Sequence, residues 1–459
     1  MKLTEGRVSR TLWRYALPIL GANILQTLYS IADMVVVGRM VGSAGLAAVS
    51  NAAMLSFIIG SICSGITAGG SVLVAQYKGA EDGRGQAETI GTLFILSAAA
   101  AAAVTLLALI GYPQIFKWMS VPEEAMGYAQ DYMQMIALGT VFVFGYNAVC
   151  SVMRGLGDSK SPLLFVAIAT AVNILLDILL VGPLDMGTRG AGLATVAAQA
   201  VSFAAAVPYM KRRDFPFDFR RRSFKIRWDK GKTILRIGLP TAVQMSAVNL
   251  SYLIVTAMLN VYGVTVAAAA GAGLKINTYA ALPCWAVGQA VTTMVGQSMG
   301  AGNGARARRT VWTGVWLSEA VSLIMVAAVQ IFAREILSLF GLDSAGIEEG
   351  VRYLRICCSV NFAAYAAMYI FDAFATGVGA SLFAMANALL QAVVIRLSLS
   401  WLLGTVLSFG HLGIYYSEAL SPIVPCIAGL IFLRTGCWNR TLIPSGGNPE
   451  FDKGPLGEI

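Results

Sequence analysis

Long stretches without a single charged residue constrain this chain more than anything else in it. Thr89 to Phe116 carries none, nor do Tyr132 to Met153, Gly190 to Met210 or Ile276 to Ala305. A bilayer's hydrocarbon core takes about 20 apolar residues per helical crossing. Each stretch is long enough. The runs are rich in Ala, Leu and Gly and lack the period-two alternation of barrel strands, so they read as helices. Only 12% of the 459 residues are charged, against about 25% in a soluble domain. Such a chain could not cover its own surface in water.

The expected fold is therefore an all-α integral membrane protein with twelve transmembrane helices in two pseudo-symmetric six-helix lobes. The expected spans are 12–37, 46–77, 88–111, 129–153, 162–183 and 189–210, then 233–261, 266–298, 309–332, 350–375, 381–404 and 411–434. One segment breaks the apolar pattern in mid-chain. Residues 211–231 form a basic linker between an N-terminal lobe, 1–210, and a C-terminal lobe, 232–435. Pro216 and mixed charges deny this linker an amphipathic helical stripe, so it reads first as a plain connection, although a basic loop beside anionic lipid can also hug the membrane. The Pro- and Gly-rich residues 436–459 read as a flexible tail.

The formal charge is +9, but its placement argues against nucleic acid. With the N-terminus in the cytoplasm, inward segments hold 25 of the 33 Lys and Arg. This asymmetry sets topology rather than binding a polyanion. It places both termini in the cytoplasm of a cell-membrane protein. Seven scattered cysteines show no disulfide or zinc spacing.

The two lobes repeat one another. Leu17-Pro18 recurs as Leu239-Pro240, an offset of 222. Val74-Ala75-Gln76 with Gly79-Ala80 recurs as Val295-Gly296-Gln297 with Gly300-Ala301, an offset of 221. Gly155-Leu156-Gly157 recurs as Gly377-Val378-Gly379, again at 222. Six spans per lobe is an even number, so both lobes enter from the same side. The repeat is parallel, with its pseudo-twofold axis along the membrane normal.

Ionisable groups inside the membrane are costly and mark function by default. Asp33, Asp177, Lys275, Glu319, Asp372, Arg396 and Glu418 fall within expected spans. Asn23, Gln26, Ser30 and Asp33 share one helical face, as do Thr170, Asn173 and Asp177. Thr140, Asn147 and Ser151 in the fourth span, and Thr195, Gln199 and Ser202 in the sixth, add further polar stripes. Pointed at one cavity, these groups suit proton chemistry or coordination of a hard cation such as Na⁺ by Asp33, Asp177, Asn173 and Thr195. Asn361, Tyr365 and Asp372 share a face in the second lobe, with Lys275 and Arg396 as possible partners of Asp372. Gln26, Tyr29, Met54, Phe57, Tyr146, Gln199, Met245, Tyr279, Trp285, Tyr365 and Asp372 are the expected substrate-cavity residues. A Met- and aromatic-rich cavity with acids suits bulky, cationic, amphipathic compounds.

There is no nucleotide-binding loop, HExxH or GxSxG motif. A transporter driven by an ion gradient is expected, with no catalytic residues and no cofactor.

Several local motifs resemble one family. Tyr29-Ser-Ile-Ala-Asp-Met-Val-Val-Val-Gly-Arg39, Val74-Ala-Gln-Tyr-Lys-Gly-Ala80, Val295-Gly-Gln-Ser-Met-Gly-Ala-Gly-Asn303, Met153-Arg-Gly-Leu-Gly-Asp-Ser159, Asn173-Ile-Leu-Leu-Asp-Ile178 and Gly190-Ala-Gly-Leu-Ala-Thr195 are similar to motifs of the multidrug and toxic compound extrusion (MATE) family. The resemblance covers about residues 8–435 and is closest to the DinF-like branch. It implies alternating access, with drug-like molecules exported by a monomer in exchange for H⁺ or Na⁺. It also implies that Asp33 and Asp177 are the ion-coupling acids, with Asn173, Asn147 and Thr195 beside them. Asp372 is similar to an acid of the NorM-like branch, but the seventh span holds Gln244 and Asn249 where that branch places another acid. The alternative is a flippase for lipid-linked precursors. Such a protein calls for several cations in its cleft, and only Lys275 and Arg396 qualify.

Overall fold

A computed structural model of the chain describes residues 2–211, 215–359, 361–439 and 442–443. Among these residues every regular element is a helix. The first six are α1 (Val8–Met40), α2 (Ser43–Gly79), α3 (Gly83–Trp118), α4 (Glu123–Gly155), α5 (Lys160–Val181) and α6 (Gly187–Lys211). They are followed by α7 (Trp228–Asn260), α8 (Val264–Gly300), α9 (Gly304–Ile331) and the short α10 (Ala333–Ser338). Then come α11 (Ser344–Cys357), α12 (Asn361–Val378), α13 (Ser381–Val406) and α14 (His411–Thr435).

Among the described residues, ten of these helices are individually long and apolar enough to cross a membrane, or eleven with α11 and α12 taken as one bent span. The α8 helix has the length, 37 residues, but not the apolarity, because it carries Lys275, Asn277, Gln289 and two adjacent threonines. Leu106, Leu107, Ile110, Leu323 and Ile324 stand exposed, while Asp177, Thr92, Ser202 and Thr310 are wholly buried. Apolar side chains outward and polar groups inward is the arrangement a lipid surround selects.

The chain forms two compact units, residues 17–242 and residues 2–16 with 243–459. The division between these units falls inside α7. The reason lies in close packing. A Cβ at Gly65 would collide with the Gly238 carbonyl oxygen, and one at Gly69 with that of Ile234. The start of α7 is thus seated on the glycine face of α2. In the other unit, the Arg306 guanidinium donates to the carbonyls of Leu3, Glu5 and Gly6 at 2.8–3.2 Å.

The sequence repeat is also a repeat of geometry. At the α2–α3 junction, the Ala80 N–H bonds the Gln76 carbonyl and the Asp82 carboxylate accepts the Gly85 N–H at 2.8 Å. At α8–α9, the Ala301 N–H bonds the Gln297 carbonyl and the Asn303 side-chain Oδ1 accepts the Arg306 N–H at 2.8 Å. Gly155 and Gly377 pack alike. A Cβ would sit 2.7 Å from the Ser71 carbonyl oxygen in one unit and 2.7 Å from that of Thr292 in the other. Gly157 and Gly379 end these helices at φ +87° and +92°, where only glycine is unstrained.

The expected tenth span is broken. α11 and α12 meet at 53°. Side chains bond the carbonyls around the break, of which that of Leu354 also accepts the Cys358 N–H at 2.9 Å. Gln330 Nε2 donates to the Leu354 and Cys358 carbonyls at 2.9 and 2.6 Å. Asn361 donates to the Cys357 carbonyl and accepts from the Ser359 N–H and hydroxyl. Asn361 is therefore engaged at the bend rather than free to join Asp372 on a polar face. The α13 helix widens into π turns at Leu390–Ile395 and Leu402–Val406, one on each side of Arg396.

Most of the expected tail, including 440–441 and 444–459, lies outside the described residues. The part nearest α14 is packed. Trp438 donates to the Leu433 carbonyl at 3.0 Å and meets Phe374 edge-on at 5.0 Å.

Candidate ion site of the first unit

Four helices bring the candidate residues of the first unit together. α1 supplies Tyr29 and Asp33, α5 supplies Asn173 and Asp177, α6 supplies Thr195, and α4 supplies Tyr132. Asn173 and Asp177 stand four residues apart and so share a helical face. Asp33 is 6% exposed and Asp177 0%. The Asp33 and Asp177 carboxyls lie within each other's field, and Tyr29 and Tyr132 feel both. Asn173 Nδ2 reaches Thr195 Oγ1 at 3.5 Å, and Tyr132 of α4 is buried.

The carboxyl oxygens are short of partners. Neither oxygen of Asp177, nor Asp33 Oδ1, nor Asn173 Oδ1 has a hydrogen-bond partner. Burying an unpaired carboxylate is expensive, and two in mutual view are worse. Such a pair is stable only when a proton or a bound cation neutralises it. The oxygens of Asp33, Asp177, Asn173 and Thr195 form an oxygen-only donor set of the kind a hard cation takes. Among the described residues there is no group of three or more His, Cys, Asp and Glu that could hold a metal ion.

Other expected members stand apart from this cluster. Asn147 donates to the Val143 carbonyl of its own helix at 2.8 Å, and Ser30 spends its hydroxyl on Gln26 at 3.1 Å. Tyr146 does not line open space. It is 2% exposed and packed with Phe165 and Met210 in a core cluster. Gln26, Met54 and Phe57 are exposed, while Gln199 is half-buried with its carbonyl oxygen unpartnered.

The second unit holds a different chemistry. Asp372 accepts from Asn387 Nδ2 at 2.7 Å, and Asn387 also donates to the Pro425 carbonyl. Neither expected cation supplies that partner. Lys275 is exposed. The Arg396 guanidinium lies 4.2 Å from the Tyr252 ring centre, bonds its hydroxyl at 3.3 Å and interacts electrostatically with Glu418. Glu418 in turn accepts from the Tyr353 hydroxyl at 3.0 Å. Of the expected cavity residues, Trp285 donates to the Tyr365 hydroxyl at 2.9 Å, and Met245, Tyr279 and Tyr365 are half-buried.

Comparison with known proteins places this arrangement. The MatE family model matches residues 18–179 and 240–402, one stretch in each half of the chain. The chain is 28% identical over 365 residues to the probable multidrug resistance protein YoeA of Bacillus subtilis, covering 77% of this chain and 79% of that one. It is 26% identical over 436 residues to the probable multidrug resistance protein YpnP of the same organism, covering 95% and 97%. A solved outward-facing multidrug resistance MATE family transporter of the MOP superfamily superposes with a TM-score of 0.89 at 22% identity, over 95% of this chain and 97% of that one.

Proposed function

The chain belongs to the MatE family, and from that premise we propose that it exports amphipathic, cationic drug-like compounds in exchange for H⁺ or Na⁺. The observation that carries the reading is the pair Asp33 and Asp177, buried together with oxygens that no protein group satisfies. An ion that enters to neutralise the pair does so reversibly, and the conformation that holds it differs in energy from the one that does not. Driving that difference with a gradient supplies alternating access. Asn173, on the face of α5 that carries Asp177, and Thr195 of α6 are the neutral polar groups of the site. The names of the relatives support a drug-like substrate. Exposed Met54 and Phe57 in the first unit, and the Trp285, Tyr365 and Tyr369 aromatics of the second, supply apolar and cation-binding surface for it. The acting unit is a monomer in the plasma membrane with both termini cytoplasmic.

The test is uptake of a cationic dye into proteoliposomes under separately imposed pH and Na⁺ gradients. Wild-type protein should concentrate dye under one of the two, without nucleotide. Asp33→Asn should bind dye but lose gradient-driven uptake. Undiminished uptake by this variant, or activity that requires added ATP, would overturn the proposal.

A further inference from the structure

Residues 215–227, which lead into α7, form a strap fastened to α3. Phe94 of α3 meets Phe217, Phe219 and Phe224 at ring distances of 5.9, 6.4 and 6.3 Å, and Phe217 is 3% exposed. Gly91 lets the strap backbone lie flat on the helix, since a Cβ there would collide with the Ser223 carbonyl oxygen. Thr92 Oγ1 accepts the Arg227 N–H at 3.1 Å, and Arg227 Nη2 pairs with Glu88 at 3.1 Å. Lys230, one turn into α7, sits over the Tyr77 ring at 4.1 Å and donates to its hydroxyl.

These anchors fix the depth of the strap. Glu88 is the last charge on α3 before its uncharged run begins at Thr89. Phe94 lies six residues further, about 9 Å along the axis at 1.5 Å per residue. The strap therefore straddles the edge of the apolar span, which is the level of lipid headgroups. Within the strap, Phe217 faces the protein, Phe215 and Phe219 are half-buried, and Phe224 is 38% exposed. Its outer side presents Arg220, Arg221, Arg222 and Lys225, all exposed, with Ile226 and a 73% exposed Trp228 beside them. One acid answers them. Asp218 accepts the Arg220 N–H at 3.1 Å, and the Ser223 hydroxyl and that N–H hold its carboxyl below the usual range. Among the described residues neither Arg221 nor Lys225 has a carboxylate partner. Clustered cations with an exposed tryptophan at interfacial depth match an anionic membrane surface in charge and polarity together.

We infer that the strap is a docking surface for anionic phospholipid headgroups in the leaflet where α6 ends and α7 begins. The inference is independent of what the protein transports.

The experiment uses the full chain in detergent. Phosphatidylglycerol or phosphatidylcholine is titrated in, binding is read by lipid-induced thermal stabilisation, and retained lipids are counted by native mass spectrometry. Wild-type protein should prefer phosphatidylglycerol by at least about tenfold. The variant R220Q/R221Q/R222Q should lose that preference, while K78Q/K160Q/R308Q, which removes three exposed cations elsewhere, should keep it. R220K/R221K/R222K should also keep it, because headgroup attraction asks for charge rather than a guanidinium fork. Should the glutamine triple variant not fold, Arg221→Gln alone should lower the preference about threefold or more. Retained preference in the glutamine variants, an equal loss in the control, or the same stabilisation by inorganic phosphate would each overturn the inference.

Discussion

Asp177→Asn should separate a functional carboxylate from a structural one by the sign of its effect on stability. Both Asp177 oxygens are buried without partners. An unpaired buried polar group costs about 1–3 kcal/mol, and a charged one more. Asparagine keeps the shape, removes the charge and removes the mutual repulsion with Asp33. In alkaline, sodium-free detergent the variant should therefore be more stable than wild type by about 1–3 kcal/mol. At roughly 2 °C per kcal/mol for a chain larger than a small domain, that is an apparent Tm raised by about 2–6 °C. Added Na⁺ or acid, either of which neutralises the wild-type pair, should narrow the gap. Gradient-driven dye uptake should fall to background in the same variant. The stability reading is taken by thermal unfolding and the transport reading in proteoliposomes. A variant that melts several degrees below wild type, or that still couples, would show that Asp177 is a structural tie and that the unpaired oxygens have been misread.

The repeat makes a paired prediction. Gly155→Ala and Gly377→Ala each force a Cβ against a backbone carbonyl at 2.7 Å, so each should lower stability by about 1–3 kcal/mol, with additive loss in the double variant. A large effect at one site and none at the other, by thermal unfolding, would mean that the two junctions are not equivalent. Gln330→Leu should strand the Cys358 carbonyl at the α11–α12 bend, the Leu354 carbonyl keeping the Cys358 N–H, and destabilise by about 1–3 kcal/mol; faster hydrogen exchange near residues 354–361 would locate the damage, and unchanged exchange there would refute it.

The helical framework was legible because lipid imposes a length and a composition on each span. The two acids of the first unit were legible for the same reason, since charge in an apolar run stands out. What was not legible depended on pairings across the fold. Asn147 belongs to the polar stripe of α4, yet its amide is spent on Val143, and Tyr146, expected in a cavity, is packed in a core. Asp372 reads as an acid needing a cation, but Asn387 satisfies it. The bend after Cys357 has no proline to mark it. The linker's mixed charges conceal Phe217, whose packing against Phe94 is visible only once α3 is beside it.

The exchange of leading segments has a consequence for biogenesis. Residues 228–242 belong to the first compact unit, and residues 2–16 to the second. A ribosome that has made all of α1–α6 has therefore not yet made a finished unit, because the glycine face of α2 at Gly65 and Gly69 still lacks the stretch from Ile234 to Gly238 that covers it. The earliest residues wait longer still. Leu3, Glu5 and Gly6 find their hydrogen-bond donor only when Arg306 has been synthesised. Separately expressed halves split at the linker should each expose a surface intended for the missing segment, and assembly during translation should commit late rather than lobe by lobe.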